Sequence, residues 1–538
     1  MRSPGGGGAS AWQKKNYFFS FRGAALRAGA ALAAVALAAV ALAACTKGPP
    51  QGRRLASGLA RDLIVAPGGG MVAFLQGAYH PDDRGVPEDL LLGELMLAST
   101  SGDSAAQPVR GGVATIPAAR AFSPGGEWLA FLAGWRFRVG DGELWLAGPP
   151  GAARKVANGV SAMGWAPSGS LVAFVAHGRL MVLDASKEPA SPSLALDQVQ
   201  SFAWSPGADR LAGRAPGAIG GRVQLMEVRT ARRREVTRAS SDFAFGADGS
   251  LYVLGLPGAK GGDRPLSVLA TFDGKPREIG RATSFAVSDR YVALLSTDRQ
   301  PGEAFGALSR VPRAGGAAEP LGERVNEFRF APGGDLVFLA RYDALARAGA
   351  LTAAAPGKPP REIAQRTQSF TAQGDRLLYL AQAPQKGDFK IELWTAPLDG
   401  SAPARKVDDG VYGYQLTPDG KQLFWKARCA GGARSCSLFR APADGSGAAQ
   451  LLAADVAGFE LSADAGRVLV QKPHRGAARA VDLAVLDAGA MPPSGAAVKL
   501  LATEVDPSSG FVDARGRRMV YAAMAGAGQA GVYLLDLP

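Results

Sequence analysis

Residues 121–132 read A-F-S-P-G-G-E-W-L-A-F-L, a short apolar stretch, a tight Pro-Gly-Gly turn and a second apolar stretch that alternates as a strand does. The same phrase returns along the chain. Residues 203–211 read A-W-S-P-G-A-D-R-L, 330–339 read F-A-P-G-G-D-L-V-F-L, and 416–424 read L-T-P-D-G-K-Q-L-F. Related turns stand at 66–74, 166–174, 246–253, 371–379 and 462–470, with degenerate copies at 287–294 and 513–521. Eleven copies between Pro67 and Ala514 give a mean period of about 45 residues, the mark of a repeat architecture.

Each period has one internal grammar. After the turn comes an alternating strand, such as Leu171 to Val175. A third strand follows a variable loop: Glu143-Leu144-Trp145-Leu146, Arg179 to Leu183, Glu392-Leu393-Trp394 and Gly531 to Leu535. A fourth strand of basic character closes the period, as in Ala153-Arg154-Lys155-Val156 or Pro403 to Val407. Four short strands in 40–45 residues is the arithmetic of a β-propeller blade. A helical solenoid needs a 3.6-residue period and long uninterrupted stretches, and neither is present. The expected class is therefore all-β, a β-propeller of about eleven four-stranded blades. Eleven exceeds the usual four to eight, so two rings are expected, over 53–283 and 284–538. The chain stops just after a third strand, at Leu537-Pro538, while Arg53 to Gly58 reads as a fourth strand with no blade ahead of it. A ring that borrows its last strand from the N-terminal side satisfies both ends.

Residues 1–44 have a different character. Arg2, Lys14, Lys15, Arg22 and Arg27 precede a run of small apolar residues from Ala28 to Ala44, the layout of an export signal. The run ends in Leu42-Ala43-Ala44-Cys45, which resembles a bacterial lipobox. That resemblance implies cleavage before Cys45, palmitate-type acylation of its thiol and new amino group, and a lipidated linker over 45–52. Thr46, where some bacteria read Asp as a retention signal, points to the outer membrane. Without the leader the formal charge of +13 falls to +8, which argues for solubility or mild attraction to anionic surfaces and does not by itself argue for nucleic acid, so no nucleic-acid partner is expected. The other two cysteines, Cys429 and Cys436, enclose the Gly-rich gap of C-A-G-G-A-R-S-C. Such a gap can bring two Cα atoms to bridging distance, and an exported compartment permits oxidation. No second pair exists to complete a zinc site.

The turn repeat resembles that of TolB-type propellers, also called WD40-like repeats, whose consensus turn is S-P-D-G; Thr417-Pro418-Asp419-Gly420 stands nearest to it. The resemblance covers about 55–538 and is to the repeat, since the α/β domain that precedes the TolB propeller is missing here. Peptidases with such blades carry a separate hydrolase domain with a G-x-S-x-G elbow, and this sequence contains no such motif. The three histidines, His80, His177 and His474, are too scattered for a metal site, so no metal and no cofactor are expected. Arg229, Arg232, Arg233, Arg234 and Arg238 form the densest basic cluster, read as a solvated strand edge more than as an anion site. Trp128, Trp145, Trp165, Trp204, Trp394 and Trp425 fall at strand positions and read as packing.

These readings combine into one expectation. The chain is a lipid-anchored outer-membrane propeller, a non-catalytic scaffold that binds an envelope protein or peptide. The alternative is an enzyme or binding protein for envelope polysaccharide. No residue is assigned to ligand binding.

Overall fold

The computed structural model describes residues 52–537, apart from 82–89, 117–118, 149–151, 188–190, 218–219, 258–262, 298–304, 384–389, 431–434, 475–479, 490–497, 499, 514 and 525–528. Cys45, the signal-like segment 1–44 and most of the linker lie outside the described residues. Pro49–Pro538 is one compact unit. Its described residues form strands β1 to β42 in chain order and no α-helix.

The strands pair as antiparallel meanders of four. β13(Ser201–Trp204), β14(Arg210–Pro216), β15(Gly221–Glu227) and β16(Arg233–Ser240) make one sheet in chain order; the strands over 242–282, 284–325 and 413–456 make three more of four strands each. Elsewhere one long strand serves two neighbouring meanders. β9(Ala153–Trp165) pairs with β8(Asp141–Ala147) through its first half and with β10(Leu171–Ala176) through its second. β28(Arg361–Gln373) does the same between β27(Ala348–Ala354) and β29(Arg376–Gln382). The N-terminal strand completes the last meander: β1(Arg53–Ser57) pairs with β42(Gly531–Asp536), placing Arg53 opposite Leu534 and Ser57 opposite Gly531.

The repeated turn has a repeated bond. Ser205 Oγ donates to Asp209 Oδ1 at 2.6 Å and accepts from the Arg210 N–H at 2.9 Å. Thr417 does the same with Asp419 (2.6 Å) and Gln422 (3.0 Å), and Ser462 with Asp464 (2.8 Å) and Arg467 (3.0 Å). A hydroxyl thus adds a side-chain bond to the backbone bond, such as that from the Ser205 N–H to the Arg210 carbonyl at 2.9 Å, that closes the same loop. Gly126 in the turn has φ 76°, and its α-carbon lies against the carbonyl of Pro67 in the preceding meander. Gly69, with φ 73°, stands in the same way against Val512 near the other end of the chain.

Burial follows from strand alternation. Both faces of each sheet are apolar, and each face packs on the next sheet. Among the described residues the buried apolar side chains form eleven clusters, and each joins consecutive meanders. One cluster joins the two ends: Leu55, Leu63, Val72, Phe74 and Met96 pack with Val520, Ala522, Val532 and Leu534. Side chains also staple successive first strands. Arg120, buried, is ion-paired with Asp62; the Trp165 indole N–H donates to the Ala121 carbonyl at 2.9 Å, and that of Trp204 to the Gly164 carbonyl at 3.2 Å. Across the chain ends, the Leu63 N–H donates to Ser508 Oγ at 3.1 Å.

Candidate binding edge

An antiparallel meander has two ends. First-to-second and third-to-fourth turns lie at one, the turn edge. Second-to-third turns and the links to the next meander lie at the other, the link edge.

At the link edge a cleft of about 820 Å³ opens between the meanders that contain β10 and β14. One wall is His177, Gly178 and Arg179, the tight turn from β10 into β11(Arg179–Asp184). The floor is Asp197 to Gln200, which links β12(Ser193–Leu196) to β13, and Pro216 and Gly217 form the far wall. His177 and Gln198 have φ of 49° and 56°. A side chain in that left-handed region costs about 1 kcal/mol relative to glycine, so both positions carry strain that the packing must hold. The His177 N–H donates to the Gly159 carbonyl at 3.1 Å, and the Val199 N–H to that of Gly178 at 2.6 Å. Gln198 Oε1 accepts from Arg222 at 2.8 Å, and Arg179 lies 3.5 Å from Asp197. The cleft therefore presents an imidazole, a carboxylate, a guanidinium group and amides around a small apolar patch of Val199 and Pro216. Such a lining can read amide groups or hydroxyls of a polar ligand.

The link edge also carries exposed apolar side chains: Leu59, Tyr79, Val139, Leu345 and Tyr412. Two further exposed leucines, Leu451 and Leu500, sit on the fourth strands β35(Gln450–Val456) and β39(Leu500–Val505).

The other residues singled out in the sequence fall elsewhere. Arg232, Arg233 and Arg234 of the arginine cluster stand at the turn edge and are engaged with their neighbours, while Arg238 lies near the other end of β16. Arg234 donates to the Phe272 and Gly274 carbonyls at 2.6 and 2.8 Å, Arg232 pairs with Asp273, Arg233 with the Leu194 carbonyl, and Arg238 with Glu235 at 2.7 Å. The cluster laces three successive meanders. His474 keeps only 12% of its side chain exposed and meets Asp482 at 2.7 Å. His80 is exposed at the end of β3(Met71–Tyr79). Among the described residues no group of three or more His, Cys, Asp or Glu is arranged to hold a metal. Trp425 is fully buried with its indole N–H on Asp408 at 2.9 Å. Trp145 and Trp394 occupy equivalent places: each donates to the glutamate two residues before it, Glu143 or Glu392, which also pairs with Lys155 or Lys406 of the fourth strand. Cys429 and Cys436 are bridged, with Cα atoms 3.9 Å apart. The cleft itself was missed in the sequence, because nothing in His177-Gly178 or Asp197 to Gln200 distinguishes them from ordinary turns before the two meanders are brought together.

No protein-family model and no curated protein matches this sequence. Solved structures do. The tricorn protease is 12% identical with a TM-score of 0.31, the match covering 77% of this chain and 44% of that one. A eukaryotic initiation factor is 10% identical with a TM-score of 0.40, covering 70% and 96%. The Pyrococcus horikoshii acylaminoacyl peptidase is 13% identical with a TM-score of 0.27, covering 56% of each chain. The chain thus spans about half the length of the two peptidases. One expectation is corrected here: the sequence was read as that of a non-enzyme, yet two of these similar structures are peptidases, so the exclusion of catalysis does not stand.

Proposed function

We propose that the chain is a lipid-anchored propeller of the bacterial envelope, built of eleven TolB-like blades, that binds a protein or peptide partner at its link edge. The observation that carries this reading is the cleft between β10–β11 and β12–β14, whose lining keeps two strained non-glycine residues, His177 and Gln198, where a glycine would be free of strain. A single ring of eleven blades replaces the two rings expected from the repeat count. In its support, the eleven core clusters run from each meander to the next and return from the last to the first. The anchor rests on Cys45 and its preceding apolar run, and outer-membrane placement on Thr46.

The test is site-specific photocrosslinking in cells from positions 179 and 200 in the cleft, with 451 and 500 on the fourth strands as controls. A partner captured from the cleft positions alone, and lost in Gln198→Ala, supports the reading. Equal capture from all four positions defeats it. The second reading, a polysaccharide ligand, draws on the same lining of Asp197, Gln198 and Gln200, and a glycan array distinguishes it. For the anchor, Cys45→Ser releases the protein from membranes if that residue is acylated.

A further inference from the structure

The fourth strand of each meander is its outermost, and it turns a row of backbone N–H and C=O groups toward solvent, where a further strand can add. In every meander the register between third and fourth strands shifts, and the first pair on the turn-edge side of the shift marks one shared rung. In six meanders that rung of the fourth strand carries charge: Lys155, Glu235, Glu278, Glu362, Lys406 and Arg54. In two it carries proline, Pro108 and Pro320. Charge and proline are what keep an exposed edge from pairing. The remaining three carry leucine: Leu194, Leu451 and Leu500.

Of these three, β35 is the bare edge. Beside Leu194 the strand is covered, since Arg233 of the next meander donates to the Leu194 carbonyl. Leu500 follows Lys499 in the sequence. Leu451 follows Gln450, whose amide oxygen is taken by Arg440 at 2.6 Å, and it keeps half of its surface exposed. The one charge on β35 is Asp455, near its link-edge end. That side chain is exposed, accepts from Ser435 Oγ at 2.8 Å and meets no cation among the described residues. The strand behind this edge is braced. β34(Cys436–Pro442) begins at the Cys429–Cys436 bridge, and Phe439, opposite Leu451, is buried against the Trp425 ring with centroids 5.7 Å apart. A rigid template loses little entropy when a strand adds to it.

We infer that β35 takes an extended segment of another protein as a fifth strand of its meander. The segment pairs through its backbone, packs an apolar side chain beside Leu451 and presents a basic one to Asp455. Charge complementarity selects such a partner over a second copy of this chain. β35 has no basic residue, so a copy would bring a second Asp455 and nothing to meet either. The site lies on a different meander from the cleft, and its occupant is independent of the cleft's ligand.

The probe is a fluorescent peptide of alternating valine and threonine with one terminal lysine, its binding to the full chain in detergent read by anisotropy. It should bind saturably. Leu451→Lys, which restores the charge that six sister strands carry, should weaken binding about tenfold. The melting temperature should hold, since the side chain is half exposed, and that keeps a loss of binding distinct from misfolding. A strand bonds its neighbour only at every second residue. Peptides N-methylated on one alternate set of residues should therefore lose binding, and those methylated on the other set should keep it. Glutamate in place of the peptide's lysine should weaken binding to the parent but not to Asp455→Asn. No binding by the lysine peptide, undiminished binding to Leu451→Lys, or equal tolerance of both methylated sets overturns the inference. So does self-association of the chain that Leu451→Lys abolishes in the absence of any peptide binding, which would assign the edge to a second copy.

Discussion

A hydroxyl and a carboxylate close three of the repeated turns. Ser205, Thr417 and Ser462 each hold an Asp and a backbone N–H, which is why the S-P-x-x and T-P-D-G phrases could be read from sequence. The glycine beside them has a second reason that sequence does not show, the close approach of the preceding meander. Gly126→Ala should therefore cost more than the roughly 1 kcal/mol of a left-handed alanine, since its Cβ also meets the Pro67 carbonyl; a denaturant midpoint unchanged from the parent would refute the contact. Elsewhere, the hydroxyls of Ser170 and Ser186 hold the Asp184 carboxyl down to about 2. The unfolded group titrates near 3.8, so its contribution is complete above about pH 4 and is lost as pH falls toward 2. Asp184→Asn should lower stability at neutral pH by about 1–2 kcal/mol and flatten the acid limb of the stability profile between those values. An acid limb identical to the parent's would exclude Asp184 from it.

At the scale of elements, the fourth strand is where the chain ends meet. Arg53 to Gly58 looked like a strand without a blade because its partner, β42, lies at the other end of the sequence, and β1 pairs with it. Leu55, buried to 1% exposure, carries that strand into the core shared by first and last meanders. Leu55→Ala should cost about 2–5 kcal/mol, and hydrogen exchange should quicken in β1 and β42 together; a change confined to β1 would mean the strand is not part of the closing core. The bridge between Cys429 and Cys436 leads into β34(Cys436–Pro442). Non-reducing peptide mapping of protein from its native compartment should recover the two joined, and free thiols at both would refute it. The rung shared by Lys155, Pro320 and Leu451 was illegible. These residues have no type in common, and only the pairing register reveals their equivalence.

For the whole molecule, the sequence carried the repeat, the strand order within it and the all-β class, because each depends on local turn chemistry and alternation. It did not carry the order in which meanders pack, since apolar faces on both sides of a sheet fit any neighbour. The eleven clusters supply that order and return it to its start. The cleft exists only where two successive meanders meet, so the proposed order of meanders underlies the binding proposal. Electron cryomicroscopy of the 49–538 unit tests it directly. Averages viewed along the axis should show one ring of eleven spokes around one opening, with the first and last spokes adjacent. Two smaller rings side by side, dividing near residue 283, would contradict it.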